Sequence, residues 1–215
     1  MALYRSHIAP RLVNLACGVP GLRRWRRQAC AGLSGVVVEI GFGSGRNVPF
    51  YPDDVELVHA VEPSDLAWRL AAARVAESGV RVARVGLHGQ SVPLDSGSCD
   101  QALITFTLCT VPDPSLVLAE VTRVLRPGAE LHFLEHGLAP DPSVARWQRR
   151  LDPWEQRVAD GCHLTRDPLK MVRDAGLDIV WSEQRFEKGP QPWSYFTVGV
   201  ARTPVAQDRR DANDA

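Results

Sequence analysis

Residues 36–45 read Val-Val-Val-Glu-Ile-Gly-Phe-Gly-Ser-Gly and join a short strand pattern to a glycine-rich turn. The first five residues are mostly apolar and β-branched, which favours a buried β-strand. Gly41, Gly43 and Gly45 follow, and glycine lets a ligand approach the main chain closely. A strand, a glycine turn and then a helix start are typical of a nucleotide-type binding site.

The glycine spacing separates this turn from the dinucleotide fingerprint Gly-x-Gly-x-x-Gly, because Arg46 stands where the third glycine would be. Glu62 ends the next apolar run. A carboxylate at that position can accept hydrogen bonds from both hydroxyls of a ribose. Alone, it would be interpreted as an exposed carboxylate at a strand end, but after this glycine turn we favour the ribose role.

Strand and helix patterns alternate over about 100 residues. Apolar runs predict further strands over 57–61, 80–85, 101–106 and 129–134. Helical spacing predicts a helix over 64–76 whose inward residues are Leu66, Leu70, Ala73 and Ala76. Asp113-Pro114 opens another helix, with Asp as N-cap and Pro at the first helical position. The alternation predicts βαβ units and a parallel sheet covered by helices on both faces.

The chain changes character after Pro140. A helix is predicted over 144–158 with a break at Asp152-Pro153, and Thr165 is predicted to cap a second helix that ends at Ala175. Two final strands are expected at Leu177–Ser182 and Tyr195–Ala201.

Composition divides the chain into three segments. Residues 1–34 contain arginines and no acidic residue, which predicts a basic helical segment or lid. Residues 35–203 form the main domain, and the polar residues 204–215 a flexible tail. The N-terminal segment lacks the apolar region and cleavage site of a signal peptide, and no apolar run reaches the roughly 18–20 residues of a membrane span. We therefore expect a cytoplasmic protein.

Charge and cysteine content exclude several classes. Lys+Arg 25 and Asp+Glu 25 balance, so we expect no nucleic-acid partner. The five cysteines are odd in number and form no C-x-x-C pair, so neither a disulfide framework nor a metal site is expected. Residues 23–27, Arg-Arg-Trp-Arg-Arg, suit weak peripheral contact with an anionic membrane, although a solvated helix face is the favoured interpretation.

Residues Glu39–Gly45 resemble motif I of the class I S-adenosylmethionine-dependent methyltransferases, and Glu62 matches the ribose carboxylate of that family. Leu87–Leu94 and Leu125–Gly128 are similar to the family segment after the third strand and to its Leu-Arg-Pro-Gly-Gly turn. The resemblance implies an α/β fold: a Rossmann-like sheet of seven strands with helices on both faces and an antiparallel last strand. It also implies an enzyme whose cofactor is S-adenosyl-L-methionine.

Positions in these motifs imply the cofactor contacts. The glycine turn would lie under the methionine part, which Glu39 would orient. His88 stands where many relatives have Asp near the adenine, and Thr105 matches a position beside the methionine part. The full set of implied cofactor residues is Glu39, Gly41, Gly43, Gly45, Asn47, Glu62, His88, Gly89 and Thr105.

A narrower resemblance concerns the acceptor. Four segments are similar to the alkyl-thiol S-methyltransferase group: Phe133–His136, Leu151–Pro153, Asp160–Arg166 and Trp193–Val200. The same core is shared by quinone C-methyltransferases and phospholipid N-methyltransferases. We therefore expect methyl transfer to a small, apolar acceptor, with a thiol sulfur favoured and a quinone carbon or lipid amine as the alternative.

Candidate catalytic residues follow from chemistry at strand ends and turns. His136 ends the fifth strand, where it could touch the acceptor or act as a base, or else be a structural histidine. Asp160 could orient His163 or take the acceptor proton, and a simple turn residue is an equal alternative. Cys109 is expected to be a small buried hydrophobe. Cys162 lacks a flanking cation in the sequence and is not expected to be reactive.

The sequence disfavours three other classes of protein. A non-catalytic module that binds S-adenosylmethionine would keep the fold, but the complete glycine turn and Glu62 argue against it. A nicotinamide oxidoreductase is disfavoured by the glycine spacing. A nucleic-acid methyltransferase is disfavoured because the Pro-Pro motif used on flipped bases is absent and the net charge is zero.

Overall fold

The structure is a computed structural model that describes residues 8–205. The strands are β1 (Gly35–Ile40), β2 (Val55–Val61), β3 (Arg81–Gly86), β4 (Cys99–Thr105), β5 (Leu125–His136), β6 (Asp178–Phe186) and β7 (Tyr195–Arg202). The α-helices are α1 (Ala9–Ala16), α2 (Leu22–Cys30), α3 (Asp65–Ser78), α4 (Pro114–Val124), α5 (Pro142–Val158) and α6 (Pro168–Asp174). Short 3-10 turns lie at Val48–Phe50 and Gln191–Trp193.

One seven-stranded sheet runs in the order β3-β2-β1-β4-β5-β7-β6. The pairs among β1 to β5 are parallel, whereas β7 is antiparallel to both of its neighbours. The expected α/β class, the seven strands and the reversed last strand are confirmed. Because β1 pairs with β2 on one side and β4 on the other, the connections diverge at its carboxyl end, and such switch points open a crevice for ligands.

The sheet is buried on both faces because successive residues of its central strands point to opposite sides. Val38 and Ile104 pack with α4 and α6 in one cluster. Val37 and Leu103 pack with α2 and α3 in another. This double burial explains why β1 and β4 are apolar almost throughout.

Three local expectations were wrong. Helix α3 buries Ala67 and Ala71 instead of Ala73 and Ala76, which are exposed. These two small residues stand one turn apart and let the helix lie close to the sheet. Helix α5 continues through Pro153 without a break.

The helix survives there because a proline removes only its own N–H bond, and tertiary contacts hold the preceding residue. Asp152, just before Pro153, is buried and accepts the backbone N–H of Leu164 at 2.6 Å. Thr165 also donates to Asp152, at 3.3 Å, so it does not cap α6. The cap is Asp167, which accepts the Lys170 N–H before a proline at the first helical position.

The N-terminal segment contains α1 and α2. Helix α2 buries Leu22, Trp25 and Arg26 against the sheet and leaves Arg23 and Arg27 exposed. Within residues 8–205, no helix combines the length and apolar character that a membrane span requires. Residues 1–7 and 206–215, which include most of the predicted tail, lie outside the described part, and the three segment boundaries stay predictions.

Candidate cofactor and acceptor site

A cavity of about 590 Å³ opens at the carboxyl edge of the sheet, above the switch point. Its walls come from the loops after β1, β2, β3 and β4, from α1, and from Ala159, Asp160, Gly161 and His163 after α5. Pockets that enclose a ligand of drug size have volumes of about 300–1,000 Å³. The cavity therefore has room for a nucleotide-sized cofactor.

Gly41 and Gly43 of the glycine turn line the floor of this cavity, whereas Gly45 does not line it. Gly41 has φ +74°, and a Cβ there would collide with the side chain of Thr107. Gly43 has φ +59°, and a Cβ there would meet nothing nearer than 3.8 Å, so its open side faces the cavity. Gly45 completes the turn at φ +69°, where a Cβ would come within 3.1 Å of Ala71.

Glu62 is held on the cavity wall by two backbone donors. The N–H groups of Gly43 and Ser64 each donate to a different carboxylate oxygen at 2.7 Å. Only 6% of Glu62 is exposed, and this burial raises the pKa of its carboxyl group. Because each carboxylate oxygen can accept about two hydrogen bonds, acceptor capacity remains for two hydroxyls of a ligand.

A second buried network lies beside the turn. Asn47 Nδ2 donates to Glu39 Oε1 at 2.8 Å and to Thr105 Oγ1 at 2.9 Å. The Tyr51 hydroxyl donates to the other oxygen of Glu39. Glu39 is fully buried, and desolvation raises its pKa to about 7. The structure thus brings together Glu39, Asn47 and Thr105, three of the residues implied for the methionine part.

Arg26 joins this network and was missed in the sequence, where it was placed on a solvated helix face. Only 5% of it is exposed. Its Nη1 donates to Asn47 Oδ1 at 2.6 Å and to Thr105 Oγ1 at 3.3 Å, and Nη2 donates to the Cys17 carbonyl at 3.2 Å. Its position four residues after the apolar Leu22 was the signal, because such residues share a helix face.

Arg26 also lines the cavity. A guanidinium on a cavity wall suits a ligand carboxylate, which it can bind through two parallel N–H donors. Arg26 therefore faces the cavity, whereas the buried acid Glu39 lies behind the wall and is joined to Arg26 through Asn47.

The loop after β3 forms another wall of the cavity. His88 is exposed on the cavity rim and Gly89 lines the wall. A Cβ on Gly89 would come within 2.6 Å of Ile40 Cγ2, so the close approach of this loop to β1 requires glycine. Both residues line the cavity, and their contact with an adenine stays a prediction.

The opposite wall carries two of the three candidate catalytic residues. Asp160, at φ +51°, and His163 line the cavity with Gly161 between them and α1 facing the same space. His163 Nδ1 lies 3.5 Å from Asp152 Oδ2. Asp152 is therefore the carboxylate that pairs with His163, a partner that sequence reasoning did not find.

His136 does not line the cavity. It is 6% exposed, and its Nδ1 lies 3.8 Å from Cys162 Sγ. Burial alone lowers the pKa of His136, but the neighbouring Cys162 thiol outweighs it and the net pKa is raised. The Cys109 thiol, followed by His136, lowers the pKa of Cys162. The fold therefore places an imidazole from a distant segment beside Cys162, where the sequence showed no such neighbour.

Glu135 holds the loop after β4 in place through backbone hydrogen bonds. Its buried carboxylate accepts the backbone N–H groups of Thr107 at 2.8 Å, Leu108 at 2.9 Å and Cys109 at 3.2 Å. Burial nevertheless raises the pKa of Glu135 to about 7. Cys109 is buried, as expected.

The sheet order, the glycine turn after β1 and the carboxylate at the end of β2 define a Rossmann-like enzyme with a nucleotide cofactor at its switch point. A family described as a methyltransferase domain matches residues 38–133. The chain is 36% identical to thiol S-methyltransferase TMT1B of Rattus norvegicus over 76% of this chain and 66% of that protein. It is also 36% identical to TMT1B of Homo sapiens, over 78% of this chain and 69% of that protein.

Solved structures show the same fold. A SAM-dependent methyltransferase from Aquifex aeolicus superimposes with a TM-score of 0.58 at 19% identity, over 90% of this chain and 97% of that chain. A geranyl diphosphate methyltransferase in complex with SAM gives a TM-score of 0.62 at 15% identity, over 90% and 89%. The chain therefore belongs to the class I S-adenosylmethionine-dependent methyltransferase family. Its aligned region spans about two thirds of the length of the thiol methyltransferases that it matches.

The cavity fits the cofactor of this family, S-adenosylmethionine. Gly43 leaves the floor open, Glu62 keeps acceptor capacity for a ribose, and Arg26 offers a cation to an amino-acid carboxylate. These are observations on the donors and acceptors of the wall, and they agree with the family assignment.

Proposed function

We propose that this chain methylates the sulfur of a small, apolar thiol. One observation carries the proposal: the cavity joins the cofactor residues directly to the wall of Asp160, Gly161 and His163. This wall belongs to the segment that resembles the alkyl-thiol methyltransferases. The identity of 36% to thiol S-methyltransferases of rat and human adds support.

The residues of the cofactor half bind and orient. The bound cofactor supplies a sulfonium methyl group. Glu62 would accept the ribose hydroxyls, because its backbone contacts already hold both oxygens toward the cavity. Arg26 would pair with the carboxylate of the amino-acid part, whereas Glu39 lies behind the wall and would orient that part through Asn47. Such positioning at near-attack distance supplies most of the rate in a displacement that needs no covalent catalyst.

The acceptor half must hold a sulfur in line with the methyl group. A new C–S bond forms on the acceptor as the bond from methyl to the sulfonium breaks, and the thiol proton must leave. A free thiol of pKa about 8.5 is a few per cent thiolate at neutral pH, so a base helps without being essential. His163, on the cavity wall and paired with Asp152, would take that proton.

Asp160 and His136 differ in whether their side chains can reach the cavity. Asp160 lines the same wall as His163 and would contact the acceptor. His136 lies behind the wall and would act through Cys162.

A quinone carbon or a lipid amine is the second candidate acceptor. The chain is 31% identical over 65% of its length to a ubiquinone/menaquinone biosynthesis C-methyltransferase of Syntrophotalea carbinolica. It is 24% identical over 68% of its length to a phosphatidylethanolamine N-methyltransferase of Cereibacter sphaeroides. Because these identities are lower than the 36% to the thiol S-methyltransferases, we favour the thiol.

An acceptor panel tests the proposal. The protein is incubated with methyl-labelled S-adenosylmethionine and, separately, small alkyl thiols, a demethylated quinone and phosphatidylethanolamine. We expect label in the thiols, and a loss of rate in His163→Ala and Asp160→Ala. Asp53→Ala, an exposed aspartate outside the cavity, is the matched control and should keep the full rate. Label in the quinone or lipid alone would overturn the thiol assignment.

We also propose a cytoplasmic protein whose N-terminal surface contacts anionic membranes weakly. The apolar side chains of Leu12, Leu15 and Val19 are 48%, 71% and 48% exposed. Arg23, Arg24 and Arg27 are exposed on the helix that follows. Apolar side chains beside arginines favour adsorption to anionic lipid.

Vesicle sedimentation tests this surface. Vesicles that contain phosphatidylglycerol should carry the protein down, and vesicles of phosphatidylcholine alone should not. Leu15→Asp should abolish binding, whereas Val180→Asp, an equally drastic change at an exposed residue of β6, should leave it unchanged. Equal sedimentation of both variants would contradict the proposal.

A further inference from the structure

Three soft donor side chains converge behind the acceptor wall of the cavity. Cys109 comes from the loop after β4, His136 from the end of β5 and Cys162 from the loop after α5. One ligand atom of each lies within 4.8 Å of the other two, and Cys162 Sγ is 3.8 Å from His136 Nδ1. Neither the cofactor half nor the proton acceptor His163 uses this cluster.

The backbone around the cluster is fixed before any ligand arrives. The Cys109 N–H donates to buried Glu135, and the Cys109 carbonyl accepts the His163 N–H at 2.7 Å, which ties the two cysteine loops together. Asp160 and Gly161 adopt positive φ values of 51° and 92° and turn the chain immediately before Cys162. Such preorganisation lowers the cost of gathering three donors around one ion.

We propose that Cys109, His136 and Cys162 bind one zinc ion through two thiolates and an imidazole. Thiolate and imidazole donors together select zinc among the common divalent ions. With Zn–S about 2.3 Å and Zn–N about 2.0 Å, tetrahedral ligands stand about 3.5–3.8 Å apart. Cys162 Sγ and His136 Nδ1 already stand at that spacing, and all three donors lie within 4.8 Å of one another, so side-chain rotations can close the site.

The charges of the proposed site balance. Zn²⁺ displaces one proton from each thiol, and the resulting site of two thiolates and one Zn²⁺ carries no net charge. A neutral site can be buried at lower desolvation cost than an isolated ion. Cys109 is 3% exposed and His136 6%, which makes this balance necessary.

Three protein ligands leave a fourth coordination position, as in catalytic zinc sites. Thr110, Gly161 and His163 adjoin the two cysteines in sequence and line the cavity, so we place this position toward the cavity. There an acceptor thiol would bind as a thiolate, and its proton would pass to His163. This second step rests on the proposed thiol methylation, whereas the metal site itself does not.

The odd cysteine count and the missing C-x-x-C predicted no metal site, because that pattern detects only ligands close together in sequence. Here each donor comes from a different segment. The spacing of cysteines in the sequence therefore gives no sign of the cluster that the fold assembles.

Cobalt binding tests the site without any use of activity. The reduced, metal-free full chain is titrated with Co²⁺, and thiolate ligation is read from its charge-transfer absorption. We expect one Co²⁺ per chain and the same stoichiometry for zinc by elemental analysis. Cys109→Ser and Cys162→Ser should each lose more affinity than the roughly 10–100-fold cost of an altered outer-sphere partner. Cys99→Ser, a buried thiol at the other end of β4, should bind normally.

Two results would overturn the metal site: no charge-transfer band in the reduced wild type, or equal bands in Cys99→Ser and Cys162→Ser. If the serine variants do not fold, chelation of the wild type decides, because zinc removal should lower its Tm and zinc addition restore it. The third outcome is a disulfide. It would be indicated if the chain purified without reductant were two hydrogens lighter by mass spectrometry and bound no metal after reduction.

Thiol addition to the cobalt form tests the fourth position. We expect an alkyl thiol to change the cobalt spectrum and a matched alcohol to leave it unchanged. An unchanged spectrum with thiol, or full methylation by chelated protein, would refute acceptor binding at the metal. A changed spectrum without methyl transfer would instead refute the proposed function and leave the site standing.

Discussion

Glu62 is the residue whose replacement tests the cofactor site most sharply. Both of its oxygens are oriented by backbone N–H donors at 2.7 Å, and each retains capacity for one ribose hydroxyl. A hydrogen bond to a charged group contributes about 1.5–3 kcal/mol, so loss of two by Glu62→Ala should cost about 3–6 kcal/mol of binding. At 1.4 kcal/mol per tenfold, the Kd should rise by about 10²–10⁴.

Glu62→Gln gives a graded second variant. The glutamine keeps the shape and one acceptor, but its NH₂ group must face the N–H of Gly43 or Ser64, where two donors meet. Loss of one charged contact predicts a rise of Kd by about 10–150-fold.

The assay is calorimetric titration with S-adenosylhomocysteine, which has the same ribose and cannot react further. Glu56→Gln, at an exposed position of the same strand, is the control and should bind as wild type does. Circular dichroism establishes that each variant is folded. A Kd for folded Glu62→Ala within threefold of wild type would refute the ribose role and the magnitude derived from it.

Three further predictions concern the same wall. Arg26→Met should raise the Kd for S-adenosylhomocysteine about 10–150-fold, because a charged contact is lost. Arg27→Met, on the exposed side of α2, should leave the Kd unchanged. Equal effects of the two variants in calorimetry would contradict the buried role of Arg26. Gly41→Ala should lower the free energy of unfolding by more than the about 1–2 kcal/mol that a left-handed backbone costs, because its Cβ also collides with Thr107. Gly79→Ala, at φ +72° with open space around it, should show the backbone cost alone. Chemical denaturation compares the two variants, and equal losses would be inconsistent with the collision. Burial raises the pKa of Glu39 from 4.5 to about 7, so its ionised form is disfavoured in the folded chain. The unfolding free energy that is present below pH 4.5 is therefore lost as the pH rises to 7. Relative to Glu39→Gln, the unliganded wild type should therefore lose about 3 kcal/mol of unfolding free energy between pH 4.5 and 8, and parallel pH profiles of the two proteins in urea would rule this out.

Local sequence signals predicted the parts of the site that lie within one short segment. The glycine turn after β1 and the carboxylate that ends β2 depend on residue types at fixed spacing, and both lie where expected. The alternation of strands and helices predicted parallel βαβ units, and the family resemblance implied seven strands with an antiparallel last strand; the order of the strands comes from the structure.

Contacts between distant segments could not be predicted from these local signals. Arg26 reaches the cofactor wall only because α2 packs on the sheet, and Asp152 meets His163 only because α5 continues past Pro153. The cysteine and histidine cluster joins three loops in the same way. In each case the deciding energy is tertiary packing, which a local pattern does not contain.

Methyl transfer to sulfur is tested most directly by product stoichiometry. The purified chain is mixed with S-adenosylmethionine that carries a deuterated methyl group and with a small alkyl thiol, and both products are quantified by mass spectrometry. We expect a deuteromethyl thioether and S-adenosylhomocysteine in a ratio of one to one, with both lost in Glu62→Ala. S-adenosylhomocysteine without the thioether, or a thioether formed equally by Glu62→Ala, would contradict this expectation.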